Sequence, residues 1–234
     1  MKKIIIILIV IAIITLVVAC NSQDQNTTEV VILNDITDTH IAQPDTQEIF
    51  SLFDLQNKWD GGIFQYTDLT DVSYNQTKQT RIEPRNEWLS NEFERGKEIK
   101  KFENEVSEII INRAKDKTEK SNSAIYFPIA SELNKLKNSP SQKRILVVYS
   151  DLMENTEEIS FYKKNDFERL KINPELIKEA FEKQVILDSL TGIEIHLVYQ
   201  PSDNTSDQKF QIISGFYKKL FEDKGAIVNI SANL

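Results

Sequence analysis

Two acidic, hydroxyl-rich segments of this 234-residue chain each follow a short apolar run. Asp35, Thr37 and Thr39 alternate after one run, and Ser150 and Asp151 directly follow another. Carboxylate and hydroxyl oxygens are hard ligands, which suit Mg²⁺, Mn²⁺ or Ca²⁺ and not the soft metals. Because local turns can aim alternating side chains at one ion, these residues predict a divalent-cation site.

The same residues also allow other interpretations. Asp and Thr after strands commonly form turns and helix caps, in which they accept hydrogen bonds from free backbone N–H groups. Asp35 and Asp38 also form a D-x-x-D pair of the kind found in phosphatases, although no accompanying motif supports it. A metal-free scaffold or assembly protein and a metal-dependent hydrolase therefore remain as alternatives to a cation-dependent binding protein.

The apolar pattern predicts the elements that must position these residues. Strands alternate with helices of 12 residues or more, which implies βαβ units and a largely parallel sheet. We therefore predict an α/β fold with three layers, a doubly wound, mostly parallel sheet with helices on both faces, and an antiparallel edge strand. Ligands of such a sheet bind outside the carboxyl ends of the strands, near the point where strand order reverses. The predicted strands are 29–35, 63–67, 74–82 (the edge strand), 144–150, 193–199 and 226–230, and the predicted helices are 44–56, 86–114, 124–137, 173–190 and 206–223.

Other conspicuous residues are predicted to be structural. Leu89 and Phe93 continue the apolar stripe of helix 86–114, and tryptophans usually pack. Two histidines and one cysteine leave few ways to assemble Ser-His-Asp or Cys-His catalysis, and glycine-rich phosphate loops are absent, so no enzyme is expected. The further predictions are packed Trp59 and Trp88, solvated Glu48 and Glu154, an exposed His40 and a core or sheet-face His196.

The N-terminus has the pattern of a secretory signal peptide. Lys2 and Lys3 precede an apolar run that ends at Ala19, with Thr15 its only polar residue. The run is shorter than the roughly 20 residues that a membrane span needs. It stops at Cys20, the chain's only cysteine, and the polar stretch that follows suits a tether. We predict a signal peptide over 1–19, a lipidated cysteine and flexible tether over 20–28, and one domain over 29–234; an uncleaved anchor with an incidental cysteine is the alternative.

The junction from Leu16 to Cys20 resembles the lipobox of bacterial lipoproteins. The resemblance implies that Cys20 carries a thioether-linked diacylglycerol and usually an N-acyl chain such as palmitate, and that the protein is lipid-anchored in the cell envelope. Asn21 differs from the inner-membrane retention aspartate, which favours an outer membrane if the organism has one. Loss of Lys2 and Lys3 would take the formal net charge from −8 to −10. Because so acidic a chain is attracted neither to anionic lipid nor to nucleic acid, the lipid itself must hold it.

The D-x-T-x-T pattern of Asp35, Thr37 and Thr39 resembles the D-x-S-x-S signature of von Willebrand factor A domains. Ser150-Asp151 resembles the family's acidic position after its fourth strand. Ser123 (with Ser121 as an alternative) precedes helix 124–137, where the family has a threonine. The order of predicted elements is similar over residues 29–232. The chain departs from the family in having Thr for both Ser, Ser for Thr, and Leu152 where glycine commonly follows the aspartate.

The resemblance implies a metal-ion-dependent adhesion site. Thr37, Thr39 and Ser123 would coordinate Mg²⁺ directly, with Mn²⁺ or Ca²⁺ as alternatives. Asp35 and Asp151 would act through bound waters or as direct ligands. One open coordination position would receive a carboxylate from a protein partner, a charge-assisted contact. The prediction is a membrane-anchored binding module with no catalytic residues.

Overall fold

A computed structural model describes residues 26–36, 43–53, 55, 57–69, 76–113 and 123–234 of the chain. Within these residues the structure is a six-stranded sheet with helices packed around it. The strands are β1 (Thr27–Asp35), β2 (Gly61–Leu69), β3 (Thr77–Ile82), β4 (Lys143–Tyr149), β5 (Ile193–Val198) and β6 (Ile227–Ser231). The helices are α1 (Thr46–Ser51), α2 (Glu92–Arg113), α3 (Tyr126–Lys137), α4 (Lys164–Ile172), α5 (Pro174–Gln184) and α6 (Asn204–Glu222), and a 3₁₀ turn spans Glu87–Leu89.

The strand order is β3-β2-β1-β4-β5-β6. Neighbouring strands are parallel except β2 and β3, which are antiparallel, so the predicted parallel sheet with an antiparallel edge strand is confirmed. From β1 the chain continues to β2 on one side and later reaches β4 on the other. The strand order therefore reverses between β1 and β4, and their carboxyl ends flank the crevice where open α/β sheets bind ligands.

Helices cover both faces of the sheet, as predicted. Phe64 and Gln65 are consecutive in β2 and therefore point to opposite faces. On one face Phe53, which follows α1, packs edge-on against Phe64 with ring centroids 6.4 Å apart. On the other face Gln65 Nε2 donates a hydrogen bond to Glu132 Oε2 of α3 at 3.0 Å. The sheet is thus the middle of three layers.

The central strands are buried on both sides. Residues 30–33 of β1 and 145–148 of β4 are at most 2% exposed, as their uninterrupted apolar runs predict. Burying each such side chain contributes about 1.5–3 kcal/mol before the loss of chain entropy is counted. This core fixes the backbones of β1 and β4, and hence the positions of the polar residues at their ends.

Three predicted helices differ from the structure. Helix 44–56 is shorter, because among its described residues only Thr46–Ser51 is helical. The prediction of one helix over 86–114 is wrong at its start, because Asn86 caps the 3₁₀ turn and Asn91 then caps α2 separately. Helix 173–190 ends at Gln184 instead, and α4 was not predicted. The sequence of α4 is highly charged and buries Leu170 alone, which leaves little apolar periodicity to detect.

Candidate functional site

The ends of β1 and β4 meet at the point where strand order reverses. Asn34 and Tyr149 are paired in the β1–β4 register, which makes Asp35 and Ser150 neighbours. The Ser150 hydroxyl donates a hydrogen bond to Asp35 Oδ2 at 2.9 Å, and both side chains are buried. The first residue of one acidic segment therefore directly contacts the first residue of the other.

The loop after β4 is shaped by its own polar side chains. Ser150 Oγ accepts a hydrogen bond from the N–H of Leu152, and Asp151 Oδ1 accepts one from the N–H of Met153, both at 2.9 Å. Leu152 has φ of 61°, the left-handed conformation that favours glycine and costs other residues roughly 1–2 kcal/mol. Its side chain is fully buried, which offsets that strain. Left-handed backbone thus occurs at a non-glycine residue of this loop.

At Leu152 we expect the glycine variant to be more stable than the alanine variant, the reverse of the usual order. Both Leu152→Ala and Leu152→Gly lose the buried side chain, which costs about 2–5 kcal/mol. Glycine alone relieves the left-handed strain, so we expect Leu152→Gly to be more stable than Leu152→Ala by about 1 kcal/mol. Urea unfolding measures the difference, and an alanine variant as stable as the glycine variant would show that the backbone here is not strained.

Glu154 is the main residue that sequence reasoning missed. It was predicted to be solvated, which is wrong, since its side chain is completely buried. Its Oε2 accepts hydrogen bonds from the N–H groups of Ile125 at 3.0 Å and Tyr126 at 2.8 Å. Ile125 stands at the N-cap of α3 and has no capping side chain, so Glu154 supplies the cap from a distant loop. The only signal in the sequence was the apolar pair Leu152-Met153 just before it, and the structure shows both side chains buried.

Burial changes the pH at which the Glu154 carboxyl loses its proton. Desolvation by burial raises the pKa of its carboxyl from 4.5 to about 7. The hydrogen bonds from the two backbone N–H groups lower this pKa but do not outweigh the desolvation. The nearby charge of Asp35 raises this pKa further. Glu154 Oε1 is buried and has no hydrogen-bond partner among the described residues. The edge of the sheet therefore holds two buried carboxyl groups, one of which loses its proton near neutral pH.

Ser123 lies against the same loop. Its N–H donates to the Asn155 carbonyl oxygen at 3.2 Å, and the Asn155 N–H donates to the Ser123 carbonyl oxygen at 2.8 Å. The Ser123 hydroxyl is buried and has no partner among the described residues. This serine, predicted from its place ahead of α3, is thus joined to the segment that contains Ser150 and Asp151.

Asp151 borders an open cavity of about 270 Å³ beside the site. The cavity lies between the loop after β4 and the first turn of α6, where Asp203 forms a capping box with Ser206. Charged and polar groups mix with aromatic rings in its walls. The lining residues are Asp151, Met153, Tyr162, Tyr199, Ser202, Asp203, Thr205, Ser206, Lys209 and Phe210.

The predicted cation ligands are only partly described. Asp35, Ser123 and Asp151 lie in segments that meet, as given above, whereas Thr37 and Thr39 fall outside the described residues, as do His40 and Ser121. Among the described residues no three Asp, Glu, His or Cys side chains form a group that could hold a metal ion. The predicted site has only two carboxylates, and its other ligands are hydroxyl groups, so it is not a group of that kind. The Ser123 hydroxyl is buried without a partner among the described residues, and carboxylate and hydroxyl oxygens are the donors that hard divalent cations prefer.

His196 lies in β5, with its Nε2 atom 3.1 Å from Glu194 Oε1, which confirms its position in the sheet. Cys20 and the whole predicted signal peptide lie outside the described residues. Among the helices that the structure describes, none is both long enough and apolar enough to cross a bilayer. No protein-family model matches the chain, and a search of curated proteins found no match to its sequence.

Proposed function

We propose that this protein is a lipid-anchored, von Willebrand factor A-like module of a bacterial cell envelope. It binds a protein partner through a divalent cation at the carboxyl edge of its sheet. Cys20 carries the lipid, and Asp35, Thr37, Thr39, Ser123 and Asp151 hold the cation. The proposal includes no catalytic turnover.

The hydrogen bond between Ser150 and Asp35 carries this proposal. It joins the ends of the D-x-T-x-T segment and the Ser150-Asp151 segment at the reversal of strand order, where α/β sheets commonly bind ligands. Two further observations support it. Ser123 is bonded to the same loop, and Leu152 has glycine-like backbone at the position where the family commonly has glycine.

The chain's own residues would hold and orient the ligands. Ser150 fixes one carboxylate oxygen of Asp35, and its hydroxyl also holds the backbone of Leu152. The Ser123 hydroxyl supplies a neutral oxygen, so that the ligand set does not cancel the positive charge of a bound Mg²⁺. When bound, the cation supplies an open position for a carboxylate of the partner, and the cavity beside Asp151 gives that side chain room to approach.

Calorimetric titration with Mg²⁺ and Mn²⁺ tests the cation site. Wild-type protein should bind one ion, and Asp35→Asn should weaken binding at least tenfold, equivalent to about 1.4 kcal/mol. Asparagine keeps an acceptor for the Ser150 hydroxyl but loses the negative charge, so the variant should remain folded. Thermal unfolding of both proteins in EDTA checks this point.

Asp188→Asn is the matched control. Asp188 is exposed, pairs with Lys137 at 3.2 Å, and lies ahead of β5 at the opposite edge of the sheet. The substitution makes the same change of charge and should leave cation binding unaltered. Absence of binding by the wild type, or equal binding by wild type and Asp35→Asn, would contradict the proposal.

A metal-free scaffold is the second candidate function. It is favoured by the hydrogen bonds that Asp35 and Glu154 already make within the protein, to Ser150 and to the first turn of α3. In that case the carboxyl edge is a structural element, and partners bind without a cation. The same titration separates the two functions, because the scaffold predicts no binding heat for either metal.

A further inference from the structure

Three large apolar side chains are exposed within six consecutive positions of the chain. Trp88 and Leu89 are each 88% exposed and Phe93 is 70% exposed. The predictions that Trp88 packs and that Leu89 and Phe93 join the buried stripe of a helix are therefore wrong. Single exposed apolar residues are ordinary, whereas several large ones close together in the chain are typical of an interaction surface. We call Trp88, Leu89 and Phe93 the aromatic patch.

The backbone beneath the aromatic patch is firmly held. Asn86 Oδ1 accepts a hydrogen bond from the Trp88 N–H, and Asn91 Oδ1 accepts one from the Phe93 N–H, both at 2.9 Å. Arg95, which is 1% exposed, anchors the start of α2 through hydrogen bonds to three backbone carbonyls. The exposure of the three side chains is thus built into the fold and is not the result of a frayed helix end.

The aromatic patch belongs to the edge of the sheet at which the described chain begins. The Asn26 carbonyl oxygen accepts a hydrogen bond from the Gly61 N–H at 2.8 Å, at the first residue of β2. Two residues earlier, the Trp59 carbonyl oxygen accepts one from the Arg85 N–H at 2.8 Å. Arg85 is three residues from Trp88. The chain that leads from Cys20 therefore enters the domain at the amino edge of the sheet, on the side of the aromatic patch.

The length of this connection limits where a lipid on Cys20 can lie. Five residues separate Cys20 from Asn26, so the six Cα–Cα steps of a fully extended chain span at most about 20 Å. The nine-residue strands β1 and β2 are about 30 Å long, which puts the carboxyl edge of the sheet beyond the reach of that tether. A lipid on Cys20 therefore holds the amino edge of the sheet within about 20 Å of the bilayer.

We propose that the aromatic patch is a membrane-docking surface, which inserts Trp88, Leu89 and Phe93 into the interface of the membrane that holds the lipid. This inference rests on the proposed lipid anchor at Cys20. Tryptophan favours the headgroup level of bilayers, and phenylalanine and leucine reach into the acyl boundary. Because the anchor keeps the patch at high local concentration near lipid, weak insertion is sufficient. Docking also turns the candidate cation site away from the membrane, toward a partner.

The charges around the aromatic patch specify how it binds. Cations next to it are paired with carboxylates: Lys58 with Glu92, Lys97 with Glu94, and Arg85 with Glu98. The patch therefore has no excess of positive charge with which to select anionic lipid. Its insertion should be apolar in origin, should occur in zwitterionic phosphatidylcholine, and should persist at high salt.

Tryptophan fluorescence of the processed, lipid-modified protein tests the docking surface. Trp59→Phe leaves Trp88 as the sole tryptophan of the chain. In phosphatidylcholine vesicles we expect the Trp88 emission to shift to shorter wavelength. We expect brominated phosphatidylcholine to quench more than half of the emission intensity. Adding Leu89→Ser and Phe93→Ser should abolish most of that quenching. Leu89 and Phe93 are exposed, and Trp59 is half-buried and is replaced by another aromatic ring, so the triple combination should remain folded.

A second reporter provides the matched control. Tyr162 is 61% exposed beside the cavity at the carboxyl edge, so Tyr162→Trp in a chain with Trp59→Phe and Trp88→Phe should not be quenched. Equal quenching of both reporters, or an unquenched Trp88 in a chain that floats with the vesicles, would overturn the docking surface alone. A concentration-dependent blue shift without quenching would assign the patch to a second copy of the chain instead. A chain that does not float would refute the lipid anchor, and the docking proposal with it.

Discussion

The free energy of unfolding should fall by about 2–3 kcal/mol between pH 5 and pH 8 because of one buried residue, Glu154. Burial raises the pKa of its carboxyl from 4.5 in the unfolded chain to about 7 in the folded protein. Since the folded state holds this proton more tightly, the stabilisation is complete below pH 4.5. It is lost as the pH rises through 7, where folding must bury a carboxylate beside Asp35. Above pH 8 this contribution changes no further.

Glu154→Gln should remove this component of the pH dependence. Glutamine resembles the protonated carboxyl and retains an acceptor for the N–H groups of Ile125 and Tyr126. We expect the variant to match the wild type near pH 5 and to exceed its stability by about 2 kcal/mol at pH 8, measured by urea unfolding in EDTA.

Glu157→Gln is the control for this comparison, because it makes the same chemical change at an exposed position of the same loop. Its stability should follow the wild-type pH profile. If the profiles of wild type and Glu154→Gln stayed parallel from pH 5 to pH 8, the proposed burial of a titrating carboxyl would be wrong.

Arg95→Met is expected to lower the free energy of unfolding by about 3–5 kcal/mol. The Arg95 guanidinium donates hydrogen bonds to the carbonyl oxygens of Lys58 at 2.6 Å, Asp60 at 2.5 Å and Glu83 at 2.9 Å. It thereby ties the segments next to β2 and β3 to the first turns of α2. Methionine has similar length but no donor, so it leaves these carbonyls without the partner that the buried Arg95 side chain provides.

Arg85→Met provides a measure of a surface arginine in the same region. Glu98 pairs with Arg95 at 3.0 Å and with Arg85 at 2.8 Å. The Arg85 side chain is 53% exposed, so its removal should cost about 1 kcal/mol or less. Equilibrium urea unfolding compares the two variants, provided that the slope of the unfolding free energy against urea concentration is unchanged. A cost for Arg95→Met no larger than that for Arg85→Met would show that the Arg95 hydrogen bonds do not stabilise the amino edge.

The exposed Trp88 and the buried Glu154 show where sequence patterns mislead. An apolar period predicts a buried face only if the helix continues through it, and here Asn91 starts a new helix after Leu89. A glutamate in a polar loop is ordinarily solvated, yet Glu154 turns inward because α3 has no capping side chain of its own. The Asn91 cap is local but interrupts the apolar period, whereas the hydrogen bonds of Glu154 reach residues 28 and 29 positions away, beyond the window in which periodicity is read.

The sequence by itself determined the architecture, because short uninterrupted apolar runs favour strands buried on both faces, and the helices between them favour parallel connections. It also identified Asp35 and Ser150 as residues at strand ends. Only the tertiary structure decided that these two ends are adjacent, that Glu154 enters the same edge, and that Trp88 remains exposed at the other. The reason is that strand order and long-range hydrogen bonds join residues more than a hundred positions apart, and a local pattern does not encode such contacts.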